Sequence, residues 1–291
     1  MDIWTGLVIV LIGGVAHGAL YAVLALGMAL VYGVSRIFNF AHGSFFTWGA
    51  YFAWLLLVPL ELNYAAAFAL TIPFMYLFGL AVERVVIRPL RRRSDWQFTS
   101  IVATLGLAFF LDYMICVVFG SRLKSLPPLL EGSVNIGNIP ISIHEIAITL
   151  IAIAVVAILG LFLKKTRPGM NMRAVSQDIL GAQIVGIAKD KVFGYTFAIS
   201  AVLAGIAGIL LSPLYYLTPL GGWDPLIKSF VIVAFGGLGS MRGTLYAAII
   251  LGIVENVVAL YIGSVWTLAT WFLVLVFILI IRPRGLFGVW E

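Results

Sequence analysis

Eight runs of mostly apolar residues, each near the length a bilayer core demands, leave this chain little choice but to fold in lipid. They cover residues 7–33, 43–59, 64–87, 99–119, 145–163, 193–214, 243–262 and 264–281. Crossing the hydrocarbon takes about 20 residues of α-helix, because unpaired backbone N–H and C=O groups are too costly there. Composition agrees. The chain is 63% hydrophobic and 10% charged, with a mean hydropathy of +1.12, which excludes a soluble globular domain. The expected fold is one all-α polytopic integral membrane domain over 1–291, with about eight or nine transmembrane helices, some of them broken.

The basic residues orient that domain. Arg84, Arg88, Arg91, Arg92 and Arg93 form one cluster; Lys164, Lys165, Arg167, Arg173, Lys189 and Lys191 a second; Arg282 and Arg284 a third. The positive-inside rule puts all three in the cytoplasm, so the net charge of +6 reflects topology and is no sign of a nucleic-acid partner. The Pro/Gly/Asn-rich loop 121–144 then lies outside. Met1-Asp2-Ile3-Trp4 lacks the positive n-region of a cleavable leader, and the apolar stretch behind it is too long for one.

Parity exposes two irregular regions. Three long spans lie between the second and third basic clusters, where an even number of crossings is required. Leu226–Phe235 supplies the short extra crossing, ending at GGLGSMRG, residues 236–243. The other irregularity is GVSRIFNFAHGSFFTWGAY, residues 33–51, where Arg36, Asn39 and His42 interrupt two spans. The same parity puts the N-terminus outside and the C-terminus in the cytoplasm. Short or broken crossings are tolerated where they are buried in protein or line a wet cavity. Asn39, His42, Gly43 and Ser44, with Gly236, Gly237, Gly239 and Ser240, are therefore the candidate translocation pathway, and Thr47 and Thr244 add polar groups to it. Aligning His42–Phe46 with Arg242–Tyr246 suggests two copies of one unit, as in carriers built from internal repeats.

The most polar stretch, residues 164–192, sits in the middle of the chain. Met172, Val175, Ile179, Ala182 and Gly186 recur at spacings that make a small apolar stripe on one helix face, with Arg173, Ser176, Gln177, Asp178 and Gln183 on the others. Such a helix either docks on a soluble partner or lies on the membrane surface. Gly186 also reads as the glycine that ends the helix.

Chemistry is sparse. His17, His42 and His144 have no metal-ligand spacing, and the lone Cys116 lies in an apolar run, so no metal, disulfide or cofactor is expected. A hydrolase would need Ser44 or Ser240 beside a histidine on a facing helix; serine in a glycine turn more often satisfies backbone. Asp112 and Glu255 are the carboxylates read within spans, where such groups are often functional. Two isolated carboxylates do not make a proton relay; a structural hydrogen bond is the stronger reading for Glu255, and an inter-helix polar contact is an equal reading for Asp112.

The chain resembles the membrane permeases of bacterial ABC importers for branched-chain amino acids, the LivH family. The resemblance rests on LVYGVSRIFNFAHGSFFTWGAY at 30–51, ERVVIRPLRRR at 83–93 and GMNMRAVSQDILGAQIVGIAKDKV at 169–192. FGGLGSMRGTLYAAIILGIVE at 235–255 and RPRGLFG at 282–288 complete the order. It implies a transport subunit of the bacterial inner membrane, not an enzyme, with ATP hydrolysis on one or two separate ATPase subunits. A second related permease and a periplasmic substrate-binding protein are the other implied partners. It further implies that the helix at 170–187 docks in an ATPase cleft, with Arg173, Ser176, Gln177, Asp178, Ala182, Gly186 and Ile187 as coupling residues. The loop 121–144 and the segment 215–225 are the expected landing surfaces for the binding protein. A mostly apolar path suits leucine, isoleucine or valine, and also urea or a short amide, which relatives carry. An autonomous secondary carrier is the reading from another class.

Overall fold

A computed structural model describes residues 3–136, 139–282 and 284–287. Asp2, Gly137 and Asn138 of the external loop, and Pro283 and Gly288 of the last motif lie outside the described residues.

The apolar runs become helices almost run for run. The first are α1 (Ile3–Ser35), α2 (His42–Leu57) and α3 (Tyr64–Val82), and α3 continues through a π-helical turn at Glu83–Ile87 into the single turn α4 (Arg88–Leu90). After α5 (Trp96–Phe119) comes an antiparallel hairpin of β1 (Ser133–Ile136) and β2 (Ile139–Ser142), with Ser133 opposite Ser142. Then follow α6 (Ile143–Lys165), α7 (Arg167–Gln177), α8 (Ile179–Ile184), α9 (Lys189–Leu211), α10 (Trp223–Gly236), α11 (Met241–Tyr261) and α12 (Thr267–Ile281). Among the described residues, 7 helices are long and apolar enough to cross a membrane: α1, α3 with its continuation, α5, α6, α9, α11 and α12. The helices α2 and α10 have 16 and 14 residues. At 1.5 Å per residue they reach only about 24 Å and about 21 Å, short of a hydrocarbon core of about 30 Å. The protein is an all-α polytopic membrane protein with two half-helices.

Local rules set the ends. Glu145 in the first turn of α6 and Lys164 and Lys165 in its last complement the helix dipole. Thr166 ends that helix and caps the next, its Oγ1 accepting from Gly169 N at 3.2 Å, with Pro168 in the first turn of α7.

All three basic clusters gather at one end of the molecule. Asp190, at the start of α9, pairs with Arg91 at 3.2 Å and Arg88 at 3.6 Å, and Glu83 also pairs with Arg91. The segment after α12 folds back on the end of α10, where Leu286 N donates to Phe235 O at 2.8 Å and Phe287 N to Gly236 O at 3.2 Å. These bonds satisfy carbonyls that a helix end leaves unpaired. At the opposite end Lys124 and Leu217 exchange backbone hydrogen bonds of 3.2 and 2.8 Å.

The packing repeats itself in inverted order. Exchanging α1 with α9, α2 with α10, α3 with α11 and α5 with α12 maps neighbours onto neighbours. Thus α1 runs antiparallel along α11, and α9 runs antiparallel along α3. The half-helix α2 packs on α9, and α10 packs on α1. Small residues close both long seams: a Cβ on Gly18 would stand 2.8 Å from Ile249 Cα, and one on Gly79 would stand 2.6 Å from Ala201 Cβ. The repeat is therefore real but in a different register from the match of 42–46 with 242–246. Arg242 opens α11, a full span, whereas the counterpart of His42 is Trp223, the first residue of the other half-helix.

Candidate functional site

The two half-helices meet head to head inside the protein. The ring of His42, the first residue of α2, lies level with the midpoint of α9: its Nε2 donates to the Leu24 carbonyl at 2.9 Å, and its Nδ1 lies 3.2 Å from Ser200 Oγ. Asn39 is buried just before it, and its Oδ1 accepts from Ala41 N at 3.1 Å, which fixes the turn into α2. Gly43 then abuts the backbone of Gly222, the residue before α10. Neither position has room for a side chain: a Cβ on Gly43 would lie 2.9 Å from Leu226 Cβ, and one on Gly222 would lie 2.5 Å from Thr47 Oγ1.

One carboxylate ties the junction together. Asp112 of α5 is buried, and its Oδ1 accepts from Ser44 Oγ at 2.7 Å while its Oδ2 accepts from Trp223 Nε1 at 3.0 Å. Ser44 and Trp223 belong to the first turns of α2 and α10, so Asp112 sits where the positive ends of two helix dipoles converge. A carboxylate is the natural partner there.

A second polar cluster lies one turn further along α10. Lys228 Nζ is 2.8 Å from Glu255 Oε1, 3.0 Å from Tyr21 Oη and 3.3 Å from Asp224 Oδ2. Its side chain is 9% exposed and that of Glu255 12%, so the pair is held inside the bundle, with the Tyr21 ring 4.9 Å from the ammonium. Three acceptors for three N–H donors make the buried cation tolerable. Beside it lies a cavity of about 210 Å³, bordered by Tyr21, Thr47, Tyr215, Asp224 and Lys228.

The other proposed pathway residues lie apart from this junction. Gly236, Gly237, Gly239 and Ser240 sit at the far end of α10, at the basic end of the molecule. Gly237 and Gly239 adopt φ of +105° and +81°, which only glycine takes cheaply. Ser240 Oγ accepts from Gly243 N at 3.1 Å and caps α11.

The central polar stretch is two helices, not one. Asp178 takes an extended conformation between α7 and α8 and caps the second, its Oδ1 accepting from Leu180 N at 2.9 Å. The apolar stripe faces inward: Met172, Val175 and Ala182 are buried on the protein's own core. Leu180, Ile184 and Val185 are the most exposed apolar side chains of α8 and its end, at 73%, 85% and 75% exposure. Arg173, Ser176 and Gln177 border a groove against α1, α6 and α11. Gly186 has φ of +86°, and Ile187 N reaches back to Ala182 O at 2.9 Å, closing α8 as a left-handed glycine cap.

Comparison with known proteins places this architecture. Residues 10–282 match the family model described as branched-chain amino acid transport system / permease component. The chain is 30% identical to the high-affinity branched-chain amino acid transport system permease protein LivH of Escherichia coli (strain K12), over 94% of this chain and 93% of that one. It is 31% identical to BraD, the corresponding protein of Pseudomonas aeruginosa, covering 96% of this chain and 94% of the relative. The probable branched-chain amino acid transport permease protein LivH of Methanocaldococcus jannaschii is 28% identical, over 97% of this chain and 93% of that one. The chain belongs to this permease family.

The match runs from the first third of α1 to the end of α12, so both half-helices of the permease fall within it. Three parts of the site escaped the sequence reading. Gly222 and Trp223 fall in the segment 215–225 expected as a landing surface, because nothing local marks a chain that leaves one surface and re-enters the bundle. Lys228 lies inside the apolar run 226–235; its signal is the spacing of four from Asp224, which makes an ion pair on one helix face. Tyr21 is aromatic within a long apolar helix, and its hydrogen bond depends on α10 packing against α1.

Proposed function

We propose that the permease is the membrane-spanning subunit of an ATP-driven importer that moves branched-chain amino acids across the inner membrane into the cytoplasm. The observation that carries the coupling is the α7–α8 block. It is anchored to the core by Met172, Val175 and Ala182 yet bares Leu180, Ile184 and Val185 at the basic end. Apolar side chains that exposed on a polar connecting segment call for a covering partner, and an ATPase subunit is the partner that fits. α7 packs on α1 and α9, the two helices that hold the His42 ring through Leu24 and Ser200. Closure of the ATPase subunits would thus reach the half-helix junction through two rigid spans.

A second related permease completes the pathway, and a periplasmic binding protein lands on the opposite end. There the hydrogen bonds between Lys124 and Leu217 bind the loop after α5 to the segment leading into α10, so one docked protein touches both. The basic end faces the cytoplasm. Leucine, isoleucine and valine are the substrates the relatives' names favour.

The test uses Leu180→Asp with Ile184→Asp, two exposed positions whose change leaves the core intact. Co-purification from native membranes in mild detergent should recover ATPase subunits with the wild type and lose them with the double variant. Retention of the ATPase by the variant would remove α8 as the docking surface. Leucine uptake by the purified permease alone, with no ATPase present, would instead make it an autonomous carrier.

A further inference from the structure

At the basic end α1, α6, α7 and α11 enclose a groove of about 470 Å³. Its mouth holds Lys164 from the last turn of α6, Arg173 of α7 and Arg242 from the first turn of α11. All three are exposed, and among the described residues none has an acidic partner. Arg88 and Arg91, at the same end, are neutralised by Asp190 and Glu83. Below the three cations the wall turns apolar: Leu26 and Leu30 of α1, Val156 and Leu159 of α6, and Leu245 of α11. From Lys164 to Val156 the groove follows α6 for about 12 Å. Gly160 lies midway along that wall, and a Cβ there would meet no heavy atom within 4 Å. The same helix bares Ile153 and Leu161 nearby, so the groove borders surface suited to lipid.

We infer that this groove binds one anionic phospholipid, its phosphate held by Lys164, Arg173 and Arg242 and an acyl chain lying along the apolar wall past Gly160. Charge and shape agree on this occupant. A free phosphate or nucleotide would leave the long apolar wall wet; a zwitterionic lipid would bring its own ammonium up against three cations, and a lipid without phosphate would leave them unpaired. A basic pocket at the end of membrane helices facing an anionic leaflet is where such headgroups settle. The inference holds whether or not the permease imports amino acids.

The test is native mass spectrometry of the full-length permease, released from vesicles of equal phosphatidylethanolamine and phosphatidylglycerol. The wild type should retain one phosphatidylglycerol in preference to phosphatidylethanolamine. Lys164→Gln and Arg242→Gln should each weaken that retention about fivefold. Gly160→Phe, which fills open space, should abolish it while thermal unfolding in detergent stays unchanged. Equal retention of the two lipids, or retention untouched by Gly160→Phe, overturns the inference. Displacement of the lipid by millimolar inorganic phosphate would show a headgroup-only anion site and also overturn it. So would loss of a co-purifying subunit in Gly160→Phe with lipid retention intact, which would make the groove a protein interface.

Discussion

The half-helices α2 and α10 hold equivalent places in the inverted repeat, yet they are built from different materials. α2 contains no Asp, Glu, Lys or Arg. Its polar side chains make their bonds without adding a charge: His42 to the Leu24 carbonyl, Ser44 to Asp112 of α5, and Thr47 to the Gly43 carbonyl at 3.1 Å. Counting from each first residue, Thr47 stands in α2 where Lys228 stands in α10. Lys228 reaches out of its helix to Glu255 of α11 and Tyr21 of α1. A half-helix can therefore be secured with no charge of its own or by a buried ion pair. The ionic solution raises the stakes, because either charge left alone is largely withdrawn from water, at 9% and 12% exposure.

That contrast is broken most forcefully at Lys228. Lys228→Met strands Glu255 and should cost about 3–5 kcal/mol, read as a fall in the unfolding temperature of the purified permease. Lys228→Met with Glu255→Gln should recover most of the loss, whereas Thr47→Val in the neutral half should cost only about 1 kcal/mol. Equal effects at Lys228 and Thr47 would mean that the ion pair does not hold α10.

The junction itself should respond alike from both sides. Gly43→Val and Gly222→Val each push a side chain into the opposing backbone, and each should destabilise by about 3 kcal/mol. A large effect at one and none at the other would show that the half-helices do not share one tight contact. Asp112 then separates geometry from charge. Asp112→Ala leaves Trp223 Nε1 without its acceptor and Ser44 with only the Ala108 carbonyl at 3.2 Å, at about 2 kcal/mol. Asp112→Asn keeps one acceptor for Trp223 and a donor that Ser44 Oγ can accept, so stability and ATP-driven uptake should survive. Uptake abolished by Asp112→Asn in a well-folded protein would instead point to an ion-coupled carrier.

How much of this was legible in the sequence follows from what each feature depends on. The spans are written in local hydropathy, and crossing parity alone demanded the short helix that the structure places at Trp223–Gly236. The junction is not local. Gly43 meets Gly222, and Ser44 meets Trp223 only through Asp112, so no window of sequence contains the site. The central stripe shows a subtler limit. Periodicity groups Met172, Val175 and Ala182 in one stripe, which two helices carry instead of one, and it does not say whether the stripe looks toward a partner or toward the protein's own core. The structure turns it inward and leaves Leu180 and Ile184 outside.

The smallest effect belongs to Gly186, and it serves as a gauge for the others. Its φ of +86° is a conformation that costs an L-residue about 1–2 kcal/mol, while the space around it is open. Gly186→Ala should therefore loosen only the cap of α8, where Ile187 N bonds to Ala182 O. Hydrogen exchange at Ile187 should speed up several-fold, with the unfolding temperature of the bundle unchanged. A bulkier residue there would mix backbone strain with any loss of docking, so Gly186 cannot report on the ATPase contact by itself. Because α7 touches both spans that hold His42, faster exchange confined to α8 would show that the cap is energetically separate from the half-helix junction. Exchange that also rises around His42 and Gly43 would show the cytoplasmic block and the junction moving as one unit.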